Sequence, residues 1–135
     1  MNIFVTALVV MAKISWYNPQ LCELGPEFYV NCGNPAFWWR MSCGLYDARE
    51  HYWRALACPV EYPLNTQFVI EGSRYGLADG TWRCLARGGA IVTRADGTII
   101  LDLLTTKPVW GDVLPVRIIQ EKSHESELAQ KPILR

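Results

Sequence analysis

The acidic side chain in the most unusual surroundings in this chain is Asp102, set in the run Ile99-Ile100-Leu101-Asp102-Leu103-Leu104. On a strand it shares a face with Ile100 and Leu104, so its ionised form is costly to desolvate. Two readings are open: a structural acid that satisfies backbone donors at a strand end, or an acid tuned for proton transfer. Other catalytic chemistry is missing. There is no G-x-S-x-G, and the two histidines, His51 and His124, sit in a capped helical stretch and a polar tail. Gly88-Gly89 lacks the third glycine and following helix of a phosphate loop. Cys22, Cys32, Cys43, Cys58 and Cys84 include no C-x-x-C pair, which argues against zinc and fits disulfides, with small buried hydrophobes as the plainer alternative. Their odd number leaves at least one thiol unpaired or intermolecular. The sequence thus calls for no metal and no cofactor, and points to carboxylate chemistry.

Several elements would have to position that carboxylate. Thr81 to Leu85 is β-prone, Asp96-Gly97 is a hairpin turn signal, and Thr98 to Leu104 runs apolar again. Strands are also expected at Phe68 to Glu71, Ile91-Val92-Thr93 and Val113 to Ile119, with Pro115 demoting part of the last to an edge or bend. The apolar run Ile3 to Ala12 is too short to span a bilayer as a helix and has no Lys or Arg before it to serve as a signal-peptide n-region. Its β-branched content predicts a first strand continuing through Trp16-Tyr17. Asp47-Ala48-Arg49-Glu50 is a D-x-x-E capping box that predicts one short helix ending before Pro59. Turn-separated strands without alternating helices read as an all-β barrel.

Between Asn18 and Gly44 the chain loses periodicity but carries Phe28, Tyr29, Phe37, Trp38 and Trp39. These aromatics either cap the barrel as a second small core or line a groove in which sugars stack. If that segment is extended, only one of Trp38 and Trp39 faces inward, and the other belongs to a surface or interface. The tail from Gln120 is polar with one apolar patch, Pro132-Ile133-Leu134, and is either disordered or docked on another subunit. The organisation expected is one domain over residues 1–119, with an insertion at about 18–57 and a tail over 120–135.

At 135 residues, half of them hydrophobic, the chain can bury a core without metal support. Thirteen basic and thirteen acidic side chains give a formal charge of zero. No basic run or finger spacing suggests nucleic acid, and nothing suggests an anionic membrane surface.

The stretch around Asp102 resembles the three-aspartate (3D) domain, the double-psi β-barrel module of membrane-bound lytic transglycosylase A and related bacterial cell-wall proteins. That family reads roughly A-x-D-x-G-G-A-I-K-G followed by an apolar-apolar-Asp-apolar strand. Leu85-Ala86-Arg87-Gly88-Gly89-Ala90-Ile91 and Ile100-Leu101-Asp102-Leu103 take those places. The alanine-rich lead-in and P-x-G-T turn are matched by Ala55-Leu56-Ala57, Pro63-Leu64-Asn65-Thr66 and the strand Phe68 to Gly72. The likeness covers about residues 55–119. Two of the three aspartates are absent: Ala86 replaces one, and the other falls on or beside Cys58. Asn65 replaces the glycine of the turn and Val92 the lysine after G-G-A-I.

The resemblance implies a six-stranded double-psi β-barrel, to which the capping box adds one short helix and the aperiodic segment a long Cys- and aromatic-rich insertion. It implies that Asp102 acts as a single acid and then base on a glycan, with Arg87, Gly88 and Gly89 toward the substrate; Trp38 and Trp39 are substrate-binding candidates as aromatic faces on which a sugar can stack. In the family pattern the neighbourhoods of Cys58 and Cys84 converge, which implies a disulfide between them. Two functions from different classes follow. One is a peptidoglycan lytic transglycosylase-like enzyme; the other is a non-catalytic barrel that binds glycan or self-associates into a structural assembly. Either belongs outside the cell, in the cell envelope or in a virion.

Overall fold

The structure is a computed structural model that describes residues 3–24, 38–41 and 46–123. Eight strands are formed: β1 (Ile3–Tyr17), β2 (Arg40–Met41), β3 (Tyr46–Asp47), β4 (Ala55–Ala57), β5 (Gln67–Ile70), β6 (Gly80–Ala86), β7 (Ile99–Leu104) and β8 (Val113–Ser123). Six of them close a barrel in the order β1-β7-β4-β6-β5-β8, while β2 and β3 pair separately. Two neighbouring pairs are parallel, β1 with β7 and β4 with β6, and the remaining pairs are antiparallel. A closed mixed barrel of six strands is compatible with the double-psi arrangement.

Period-two alternation explains the interior. Ala12 and Ile14 of β1, Phe68 and Ile70 of β5, Ile99, Leu101 and Leu103 of β7, and Val116 and Ile118 of β8 all point into one apolar cluster. Trp82 is 1% exposed there, which its indole tolerates because Nε1–H donates to the Ala78 carbonyl at 3.0 Å. Cys58 and Cys84 are buried in the same cluster and form a disulfide, their Cα atoms 5.7 Å apart. The pairing implied by the resemblance is therefore present. Cys22 is disulfide-bonded as well.

A second apolar cluster packs on the outside of the barrel. It joins Ala55 and Ala57 of β4, Leu85 and Ala86 of β6 and Leu104 of β7 to Met41 and Ala48. Trp39, Tyr46 and Tyr52 pack against it, so the described residues 39–41 and 46–52 cover this side of the barrel with a second small core. This is why Leu103 and Leu104 are both apolar: one faces in, and the other lies under the cap. Phe28, Tyr29, Phe37, Cys32, Cys43, His124 and the Pro132-Ile133-Leu134 patch lie outside the described residues.

Three local expectations change. In place of a helix after Asp47 there is a single 3-10 turn, Ala48–Glu50. The Asp47 carboxylate does cap it, accepting from the Arg49 backbone N–H at 2.9 Å, but Trp53 then takes a left-handed backbone (φ 66°) that ends any helix. Ala55-Leu56-Ala57 becomes the sixth barrel strand, because β6 and β7 flank it and satisfy its backbone on both sides. Ile91-Val92-Thr93 contributes only an isolated bridge, Thr93 to Ile99, beside a turn in which Gly97 has φ 89°. Pro115 sits within β8 opposite Met11, ahead of the Val116–Ile119 segment that pairs with β5, and so occupies a one-sided position where a missing N–H is harmless.

Candidate functional site

Asp102 lies on β7 between Ser15 of β1 and Ala57 of β4. Because Leu101 and Leu103 face inward, Asp102 faces outward with Ile100 and Leu104, half-buried on the outer wall of the barrel. The Ser15 Oγ lies 2.8 Å from Asp102 Oδ1 and 3.1 Å from the Leu101 carbonyl oxygen, and its single proton serves one of them at a time. Burial pushes the Asp102 carboxyl above the ordinary carboxylate range, and the Ser15 hydrogen bond offsets part of that rise. No second carboxylate contributes to the shift. Ser15 is a partner that spacing in the sequence gives no way to find.

Asp102, Ala57 and Ala86 form one row across β7, β4 and β6. Arg87 leaves that row directly, but its guanidinium turns back along the chain. Nη1 donates to the Pro59 carbonyl at 2.7 Å and the Cys58 carbonyl at 3.3 Å, and Nη2 donates to the Tyr62 carbonyl at 2.6 Å. Nη1 also lies 3.2 Å from Cys58 Sγ. Arg87 thus clamps the 58–62 turn over the disulfide. Gly88 and Gly89 are exposed beyond it; a Cβ on Gly88 would meet Ile91 Cγ1 at 3.0 Å, while one on Gly89 would meet nothing within 4 Å.

Trp38 and Trp39 lie in a turn before β2, both half-buried, so the either-or orientation of an extended segment does not apply. Trp39 packs on the second cluster with the Arg49 guanidinium 5.0 Å from its ring. The most exposed aromatic side chain among the described residues is Tyr75, at 83%, whose ring lies 6.5 Å from that of Trp110. Arg74 stacks over Trp110 at 4.3 Å and pairs with Asp112 at 2.7 Å.

A groove of about 300 Å³ opens elsewhere on the outer wall, over β5 and β6. His51, Arg54, Asn65, Gln67, Thr81 and Arg83 supply its polar side chains, beside Tyr46 and Leu85. Thr81 and Arg83 are legible as the outward positions of a strand. Arg54 and Asn65 come from loops, and only the folded chain brings them alongside. The second apolar cluster, through Ala55 and Leu85, lies between this groove and the β7 wall that carries Asp102.

Among the described residues no group of His, Cys, Asp or Glu could hold a metal ion, and no helix is long and apolar enough to cross a membrane. The fold and site together define a closed, disulfide-bonded β-barrel carrying a half-buried carboxylate, Asp102, on its outer wall. No family model matches the chain, and no curated protein matches it.

Proposed function

We propose that this protein is a double-psi barrel of the three-aspartate type that acts on a cell-wall glycan, with Asp102 as its single acid and base. The observation that carries this reading is the environment of Asp102: a desolvated carboxyl, biased toward holding its proton, with Ser15 to orient it. As the acid, Asp102 gives its proton to the glycosidic oxygen as the C–O bond breaks. As the base, its carboxylate takes the proton of the sugar's own 6-hydroxyl as that oxygen bonds to the anomeric carbon. No water enters, so the second carboxylate of an ordinary glycosidase is not required. Two disulfide-bonded segments suit an oxidising location outside the cytosol, in the envelope or on a virion surface.

The test is incubation with purified peptidoglycan and mass spectrometry for 1,6-anhydro-muropeptides. Wild type is expected to release them and Asp102→Asn to release none while keeping its melting temperature within a few degrees. Wild-type protein that leaves the glycan intact removes the catalytic reading.

A second reading, a non-catalytic barrel that assembles with copies of itself, is favoured by one different observation. Among the described residues the 3–11 part of β1 pairs only with β8, on one flank, and Leu8, Val9 and Met11 are exposed on it.

A further inference from the structure

The groove over β5 and β6 has a charge pattern that the barrel itself does not use. Arg54 and Arg83 are neighbours across the β4–β6 junction, where the Arg83 backbone N–H donates to the Arg54 carbonyl at 2.9 Å. Both side chains are exposed, and neither makes an ion pair or side-chain hydrogen bond among the described residues. Three other arginines on the barrel are engaged, whereas the exposed Arg94 in the loop before β7 also makes no ion pair among the described residues. Arg74 pairs with Asp112, Arg117 with Glu71, and Arg87 with three carbonyls. No carboxylate lines the groove.

The neutral polar groups around these two arginines are equally unspent. The Asn65 and Gln67 amides and the Thr81 hydroxyl make no side-chain hydrogen bond among the described residues. Each amide offers donors and an acceptor on one plane, a set that suits adjacent hydroxyls on a ligand. The aromatic ring of Tyr46 forms part of one wall.

The backbone gives an independent sign. Asn65 has φ 75° and Trp53, directly before Arg54, has φ 66°, so two of the groove's three loop-borne side chains, Asn65 and Arg54, come from left-handed stretches, His51 being the third. For a bulky residue such as Trp53 that conformation is costly, and it persists where surrounding structure imposes it, most often at ligand sites. Trp53 is held by its Nε1–H donating to Thr106 Oγ1 at 2.9 Å and by packing against Trp82.

The geometry points to a binding site for a carboxylate-bearing saccharide in this groove, with Arg54 and Arg83 gripping the carboxylate and Asn65, Gln67 and Thr81 reading its hydroxyls. Two guanidinium forks match a planar carboxylate, and the groove is of the size that small-molecule sites occupy. A phosphate is the weaker fit: among the described residues no glycine-rich loop or helix N-terminus turns backbone N–H groups toward the groove. The site is separate from Asp102, and its occupancy does not depend on glycan cleavage.

The test is titration of the intact protein, followed by calorimetry and by amide chemical shifts, with four probes. These are glucuronate, its methyl ester, succinate and inorganic phosphate. Glucuronate is expected to saturate the site and shift the amides of Asn65, Gln67, Thr81 and Arg83. The methyl ester keeps every hydroxyl but loses the charge, and succinate keeps the charge without hydroxyls; both should bind at least about tenfold more weakly, the scale of one charge-assisted hydrogen bond. Arg54→Gln and Arg83→Gln should each weaken glucuronate binding by a similar factor, and the double variant should abolish it, with unchanged melting temperatures because neither side chain has a partner to lose. Asp102→Asn should bind as wild type does, which separates this site from the catalytic reading. Absence of saturable glucuronate binding, equal affinity for the methyl ester or succinate, tighter binding of phosphate, or indifference to both arginine substitutions would each overturn the assignment.

Discussion

On the proposed catalytic reading, the surroundings of Asp102 alone set a single carboxyl for proton transfer. In the folded protein burial raises its pKa, and the Ser15 hydrogen bond returns only part of the shift. The linkage sign follows from that direction. Between the unfolded pKa and the raised folded one, the native state binds more protons than the unfolded chain, so stability falls as pH rises through the window and stays lowered above it. Asp102→Asn removes this titration while keeping the side chain's size. Thermal melts of both proteins from acid to neutral pH are therefore expected to show the difference moving in favour of the asparagine variant as pH rises. A difference that is constant, or that moves toward wild type, would show that the ionised carboxylate is the form the fold stabilises. The apolar neighbours at Ile100 and Leu104 made this environment legible in the sequence, but the face was not: alternation says that Asp102 and Leu104 point the same way, and only the closed barrel says that this way is outward.

At the scale of elements, the Cys58–Cys84 bond ties the end of β4 to β6 at the place where their parallel ladder shifts register between Leu56 and Ala57. A short strand of three residues with an irregular ladder has few backbone bonds of its own, so the cross-link and the Arg87 clamp over it fix the adjoining turn. With the two cysteines 26 positions apart in sequence, the chain-entropy account assigns the cross-link roughly 3 kcal/mol. Replacing both by serine is expected to lower the melting temperature by roughly 10 °C for a domain of this size, measured by calorimetry. A drop of only a degree or two would mean that packing of Leu56 and Arg87 already holds the junction. The strands β1, β5, β6, β7 and β8 were readable from β-branched content and turn residues such as Asp96-Gly97. The strand at Ala55–Ala57 was not, since alanine and leucine favour helix and a capping box precedes them. Pairing on both flanks decided its conformation, a tertiary effect that propensity cannot express. The same limit hid the groove, whose Arg54 and Asn65 stand eleven residues apart in sequence and meet only because β4 and β6 run side by side.

For the whole molecule, barrel closure leaves one conspicuous loose end. β8 pairs with β1 from Ile3 to Lys13, but β7 takes up the other flank of β1 only from Ala12 onward, and β5 takes up β8 only between Val116 and Ile119. The Ile3–Met11 flank facing away from β8 has no strand against it among the described residues. Leu8, Val9 and Met11 are 45%, 68% and 45% exposed there, so both faces of the strand carry apolar side chains into solvent. Soluble proteins usually protect such an edge with a charge, a proline or a bulge, and this stretch has none. Under the assembly reading, two copies pair these edges antiparallel about a two-fold axis, which closes the contact and stops growth at a dimer. Sedimentation velocity over a range of concentrations is expected to show wild type passing from monomer to dimer. Val9→Lys puts a charge at the most exposed position of the edge, where its long side chain reaches water in the monomer but meets its own copy in the dimer. The variant is expected to stay monomeric at every concentration with an unchanged melting temperature, since Val9 has little buried surface to lose in the monomer. Wild type that is monomeric throughout would take the assembly reading away and leave the exposed β1 edge as a property of the isolated barrel.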